Sequence, residues 1–143
     1  MRCIRVNKPD EFDDIVTEAA TQSNAVFVLF FGRETPETNE SWCPDCVVAD
    51  PFIRKAISTV ENSILLEVPI DRSTATTSPT AVFRQREDIR LEKVPTLLRW
   101  TASGPSSIRL VEDECHTEEG IAEFAAKTDG LNRVPPAQNA ATL

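Results

Sequence analysis

Two short, almost wholly apolar runs set the terms for this chain. Ala25 to Phe31 reads Ala-Val-Phe-Val-Leu-Phe-Phe, and Ile64 to Ile70 reads Ile-Leu-Leu-Glu-Val-Pro-Ile. Runs of this length, rich in β-branched and aromatic residues, predict strands buried on both faces. Such strands need helices on either side of their sheet. The segments between them supply those helices. Phe12, Ile15, Val16, Ala19 and Ala20 fall on one helical face, with Pro9 and Asp10 near its start. From Pro44 to Val60 the spacing is helical again, and Val47, Phe52, Ile53, Ala56, Ile57 and Val60 can share a face. Pro51 inside that stretch predicts a kink.

The rest of the chain reads less sharply. Cys3 to Val6 predicts a short strand. Gly32 to Ser41 and Asp71 to Thr80 predict loops, and Ala81 to Leu91 a short charged helix. Thr96 to Trp100 and Ser107 to Val111 predict a hairpin whose loop exceeds two residues, because Ala102-Ser103-Gly104-Pro105 lies between them. Thr117 predicts a helix cap, with Glu118 and Glu119 at the positive end and Ile121, Phe124 and Ala125 on the apolar face. Alternating strands and helices predict an α/β class: a central mixed β-sheet flanked by helices on both faces. Residues 1–128 form one domain in this reading. Residues 129–143 form a C-terminal tail with little independent structure.

Composition narrows the function. The chain has 143 residues, 15 Lys+Arg against 23 Asp+Glu, and a formal charge of −8. That balance argues against nucleic acid and against an anionic membrane surface, since both need clustered cations. No apolar run approaches the roughly 18 residues of a membrane-spanning helix. The first residues lack the apolar stretch of a secretory leader. A cytoplasmic address is therefore expected. There, paired cysteines serve redox chemistry or metal rather than structure.

The sharpest motif is Trp42-Cys43-Pro44-Asp45-Cys46, placed between a buried strand and a helix. Cys43 at a helix N-terminus meets unpaired N–H groups and the positive end of the helix dipole, which favour a thiolate. Cys46, one turn on, can attack a mixed disulfide formed on Cys43. Cys43 is thus the candidate nucleophile and Cys46 the resolving thiol. Pro44 suits the first helical turn, Trp42 would cover the exposed sulfur, and Asp45 adds a negative charge beside it. A structural zinc needs about four ligands. The other candidates, Cys3, Cys115 and the adjacent His116, make a poor set. Cys3 reads as a small apolar filler, Cys115 as a free thiol, His116 as a surface residue without a partner, Trp100 as core, and Glu112-Asp113-Glu114 as a solvated face.

These residues resemble the thioredoxin superfamily, and within it the thioredoxin domain-containing protein 17 family. The similarity rests on Ser41 to Val47, on Asp50-Pro51, on Lys93-Val94-Pro95-Thr96-Leu97-Leu98, and on Val111 to Cys115. It spans roughly Pro9 to Phe124. It implies a thioredoxin fold and disulfide reductase activity through a Cys43–Cys46 dithiol. It also implies a cis-proline at Pro95 and pairing of the Val94 backbone with an extended substrate. No bound cofactor is implied, because electrons come from NADPH through thioredoxin reductase. The implied substrates are disulfide-containing proteins or small disulfides such as cystine. A monomer is the default. Thioredoxins carry a buried acid in the central strand that relays protons to the resolving cysteine, and Leu29 stands at that position here. Asp45, a water, or an inward Glu67 would have to replace it. The two loops that are longer than in thioredoxin, Gly32 to Ser41 and Asp71 to Lys93, could wall the site. Two alternatives are a glutathione-dependent, glutaredoxin-like reductase and a non-catalytic binding module.

Overall fold

A computed structural model describes residues 1–132 of the chain. Five strands make one sheet in the order β1-β3-β2-β4-β5. These are β1 (Arg2–Arg5), β2 (Val26–Gly32), β3 (Ile64–Ile70), β4 (Thr96–Thr101) and β5 (Gly104–Val111). β3 runs parallel to both β1 and β2, while β4 runs antiparallel to β2 and β5 to β4. The sheet is therefore mixed, as expected. The helices are α1 (Phe12–Gln22), α2 (Pro44–Ser58), the single turn α3 (Val82–Gln85) and α4 (Glu118–Asn132).

Alternation along β2 divides the core. Val26, Val28 and Phe30 face one cluster, which takes Phe12 and Val16 from α1 and Phe83, Ile89 and Leu91 from the segment after β3. Phe27 and Leu29 face the other, built from Ala49, Ile53, Ala56 and Ile57 of α2 and Ile121, Phe124 and Ala125 of α4. Both faces of the central strand are covered, which is why its sequence is apolar throughout. Trp100 is buried, and its ring meets Phe12 edge-on. Thr117 caps α4, its hydroxyl accepting the Gly120 N–H at 3.1 Å.

Several local expectations fail for physical reasons. The hairpin has only two loop residues, because Thr101 pairs directly with Gly104. Gly104 supplies φ +108, a conformation natural to glycine. Pro105 belongs to β5, where an edge strand tolerates its missing N–H. The segment 81–91 holds one helical turn, not a longer helix. Its backbone turns extended at Arg86, whose guanidinium binds Asp88 and Asp13 instead. α2 continues through Pro51, and its buried stripe is Cys46, Ala49, Ile53, Ala56 and Ile57, leaving Val47 and Phe52 exposed. α4 extends to Asn132, past residue 129, where the tail was expected to begin. The remainder of the expected tail, 133–143, lies outside the described residues.

Candidate active site

The site forms where β2 ends and α2 begins. β2 and β3 stop together, with the Arg33 N–H donating to the Ile70 carbonyl at 2.9 Å. The chain then leaves in a loop closed by a bridge between Glu34 and Ser41, and returns to start α2 at Cys43. Gly32 makes the return possible. A Cβ there would meet Ser41 Oγ at 2.7 Å, Trp42 Cε2 at 2.8 Å and the Cys43 Cβ at 2.9 Å. No side chain fits, so this glycine lets the strand end press against the reactive turn.

Cys43 is the N-cap of α2, extended at φ −101 and ψ 112, with Pro44 in the first turn. Its Sγ accepts the Cys46 N–H at 3.4 Å, one of the amides that a helix start leaves without an internal partner. As a thiol it donates to the Val94 carbonyl at 3.4 Å. The Ser41 hydroxyl accepts the Cys43 N–H at 3.1 Å. The Val94–Pro95 peptide bond is cis. Trp42 flanks the turn, half-buried, with Nε1–H donating to the Ile70 carbonyl at 2.9 Å. The structure thus gathers Trp42, Cys43, Pro44, Asp45, Cys46, Val94 and Pro95 at one place.

Cys46 points inward and is 4% exposed, and Cys43, whose sulfur was expected to be exposed, is buried as well, at 6%. Its sulfur accepts the Gly32 N–H at 3.3 Å. Burial pushes this thiol well above the ordinary range. The hydrogen bond and charge of Cys43 push the same way, against the opposing Gly32 amide. It therefore rests protonated at neutral pH. Beside it lies a cavity of about 240 Å³, lined by Leu29, Asp50, Ile53, Arg54 and Pro95 and by Glu34, Asn39, Glu40 and Ser41 of the first loop. That loop walls the cavity as expected. The stretch 71–93 contributes nothing to its lining. Leu29 holds the central-strand position opposite Glu67. Glu67 projects toward α2, but Arg54 Nη2 holds its carboxylate at 2.7 Å while Arg54 Nε holds Asp50 at 3.0 Å. Of these two acids, Asp50 rather than Glu67 borders the Cys46 cavity.

Two sequence expectations are corrected here. Cys3 is exposed on the edge strand, where the Arg54 guanidinium lies 3.6 Å from its sulfur, and is no core filler. His116 has a partner: its Nε2 lies 3.6 Å from Asp45 Oδ1, inside the reactive motif. Cys115 is fully buried. Burial first, then the nearby Glu114 and Asp113 charges, push its thiol up to about 12. The Asp113 and Glu114 side chains are exposed, as expected of a solvated face, while the Glu112 backbone N–H donates to the Pro95 carbonyl at 2.8 Å and steadies the cis-proline segment. Among the described residues, no group of three or more His, Cys, Asp or Glu side chains could hold a metal ion.

A sequence model of the thioredoxin domain of thioredoxin domain-containing protein 17-like proteins matches residues 5–127. The chain belongs to this family. It is 34% identical to mouse thioredoxin domain-containing protein 17 over 107 residues, covering 74% of this chain and 80% of that protein. It is 32% identical to the thioredoxin-like protein Clot of Arabidopsis thaliana over 115 residues, covering 79% and 84%. A stretch of 80 residues is 34% identical to part of an acireductone dioxygenase from Leishmania infantum, covering 52% of this chain but only 23% of that protein. Among solved structures, spinach chloroplast thioredoxin f (long form) superposes with a TM-score of 0.59 at 14% identity, covering 93% of this chain and 88% of that one. Oxidised thioredoxin from Plasmodium falciparum gives 0.57 at 18% identity, covering 87% and 96%. The fold is the thioredoxin fold, and the Cys43/Cys46 pair occupies the start of α2 in a thioredoxin-related protein.

The structure adds Gly32, Ser41 and His116 to the residues that sequence reasoning selected. A lone glycine between an apolar strand and the cysteine motif was a visible signal for Gly32. Ser41 stood in the matching motif without an assigned role. Nothing local marked His116.

Proposed function

We propose that this protein is a thiol–disulfide reductase. Cys43, as thiolate, attacks one sulfur of a substrate disulfide. The substrate S–S bond breaks, a Cys43–substrate mixed disulfide forms, and the leaving thiolate takes a proton from solvent. Cys46 then gives up its proton to solvent and attacks the Cys43 sulfur. The second substrate thiolate leaves, and the chain ends oxidised by two electrons as a Cys43–Cys46 disulfide. Returning those electrons requires an external donor, which we assign to NADPH acting through thioredoxin reductase. The redox group is the dithiol itself, with no bound cofactor. Disulfide-bearing proteins and small disulfides such as cystine are the proposed substrates, in the reducing environment of the cytoplasm, with the protein acting as a monomer.

One observation carries this reading. Cys43 caps α2 with its sulfur 3.4 Å from the Val94 carbonyl, beside the cis Val94–Pro95 bond. A helix N-terminus favours negative charge on that sulfur. In this reading the Val94 backbone pairs with an extended segment carrying the disulfide. Protonated Cys46 waits one turn behind; both sulfurs are buried, and it is the N-cap position that assigns the attacking role to Cys43.

The deciding measurement is NADPH consumption with cystine as oxidant, coupled either to thioredoxin reductase or to glutathione and its reductase. Turnover through thioredoxin reductase, lost in Cys43→Ser, is the expected result. In Cys46→Ser the mixed disulfide should accumulate as a covalent adduct of Cys43. Turnover only with glutathione overturns the assigned donor. Absence of turnover with both, together with partner binding that survives both substitutions, overturns the reductase reading.

A further inference from the structure

We infer that His116 acts through Asp45 as a titratable positioning residue that sets which disulfides, by charge, can approach Cys43. The inference rests on the reductase reading above. Asp45 lies between the two cysteines in the first turn of α2, half-exposed beside the reactive sulfur. Its Oδ1 is 3.6 Å from His116 Nε2. That nitrogen is shielded from solvent and, Asp45 apart, meets no hydrogen-bond partner among the described residues.

The imidazole is held there from both sides. Its backbone N–H closes the turn on the Asp113 carbonyl at 3.1 Å. The preceding Cys115 is anchored in the core beside α2 and α4, and the following Thr117 caps α4. Ring and carboxylate therefore face each other as a consequence of packing, not of chance on a mobile surface.

The charged groups around this pair have other engagements. From α2 and α4, Lys55 and Glu118 pair with each other at 3.4 Å, and Glu119 lies in the first turn of α4. On the turn itself, Glu112 pairs with Lys93 at 3.3 Å, and the Glu114 carboxylate accepts the Val111 N–H at 2.8 Å, while Asp113 adds a third acid. The surroundings are acidic on balance, and the Asp45–His116 pair is where one proton changes the charge at the site entrance.

With the imidazole protonated, the pair is neutral as a unit. With it neutral, the Asp45 charge stands uncompensated next to Cys43. An imidazole ordinarily changes charge between about pH 5 and 8. An anionic disulfide is then repelled and a cationic one attracted as pH rises. The chemistry of each exchange is unchanged: the Cys43 thiolate displaces one substrate thiolate, and Cys46 displaces the other.

The test uses the pre-reduced full chain and two symmetrical model disulfides, the dication cystamine and the dianion dithiodipropionate, at low salt. The ratio of their rates cancels the thiolate fraction of Cys43, which both share. The cystamine-to-dithiodipropionate ratio should rise about threefold between roughly pH 5.5 and 8, the size expected for one charge several ångströms from the reacting sulfur, and shrink in high salt. It should be flat in His116→Gln, which cannot titrate, and lower at every pH in Asp45→Asn. The chain has a single histidine, so its ring proton resonances report directly whether the imidazole titrates over the interval in which the ratio moves. A flat wild-type ratio overturns the inference even if His116→Gln folds poorly. So does a rise that persists unchanged in a folded His116→Gln. Failure of both disulfides to react overturns the reductase reading and the inference with it.

Discussion

Gly32 and Cys43 approach so closely that a Cβ on Gly32 would stand 2.9 Å from the Cβ of Cys43. Two further side-chain atoms, Ser41 Oγ and Trp42 Cε2, crowd the same point. Gly32→Ala must therefore push the reactive turn away from the strand end. We expect a loss of about 1–3 kcal/mol in stability, the usual cost of overpacking. Disulfide reduction should fall on the order of tenfold or more, since small displacements of reacting atoms are costly. Denaturant melts and single-turnover kinetics check both, and a variant that keeps wild-type rate and stability contradicts the contact.

Trp42→Phe is expected to be milder. The lost Nε1–H bond goes to the Ile70 carbonyl, which also accepts the Arg33 N–H at 2.9 Å and so keeps a partner. The loss in unfolding free energy should be about 1 kcal/mol. A much larger loss in a urea melt would mean that the ring's packing, not its hydrogen bond, holds the turn.

Alkaline stability should report Cys115. Its thiol is pushed from an ordinary 9.0 up to about 12 by burial. The folded state therefore holds this proton more tightly than the unfolded state. The stabilisation is whole below about pH 9 and is lost as pH rises toward 12, by an amount on the order of a few kcal/mol. Cys115→Ala should lower stability at neutral pH through its small cavity, yet flatten the alkaline decline of the urea midpoint. The chain has no tyrosine, so the difference in thiolate ultraviolet absorbance between wild type and Cys115→Ala can follow the same titration. An equally steep decline in Cys115→Ala contradicts the assignment.

Arg54 joins Asp50 on α2 to Glu67 on β3, and the Glu67 side chain is only 14% exposed. Arg54→Met should cost about 1–2 kcal/mol, because Glu67 loses its short charged partner in a poorly hydrated place. Adding Glu67→Gln should recover part of that loss. A double-mutant cycle from thermal melts measures the coupling, and simple additivity would show that the pair contributes nothing of its own.

How legible all this was depends on the range of the forces involved. β2, β3, α1 and α2 were readable because burial on one or both faces writes a period into the sequence. The cysteine motif was readable because a helix start imposes its own residue types, Pro44 among them. The turn at Thr101–Gly104 was not, because Pro105 looks like loop until the edge position of β5 is known. The segment after Ala81 misled for a similar reason: its charges pair with Asp13 and Asp88 rather than along a helix. The loop's wall of the Cys46 cavity was foreseen, whereas Asp50 on that wall was not. His116 and Gly32 act through tertiary approach, with His116 meeting a residue far back in the chain, and spacing carries no trace of such a meeting.

The loop that walls the cavity is pinned at its base. Glu34 bridges Ser41, and the Thr35 N–H reaches the Glu40 carbonyl at 2.8 Å. The four residues between, Pro36 to Asn39, form the tip. Of the loop's wall residues, Asn39 belongs to this tip, while Glu34, Glu40 and Ser41 sit at the pinned base beside the reactive turn. Replacing the tip alters the shape offered to a partner while the strand end, the glycine contact and the two sulfurs stay where the core puts them. For evolution, and equally for an engineer, selectivity and chemistry can then drift independently along one short polypeptide.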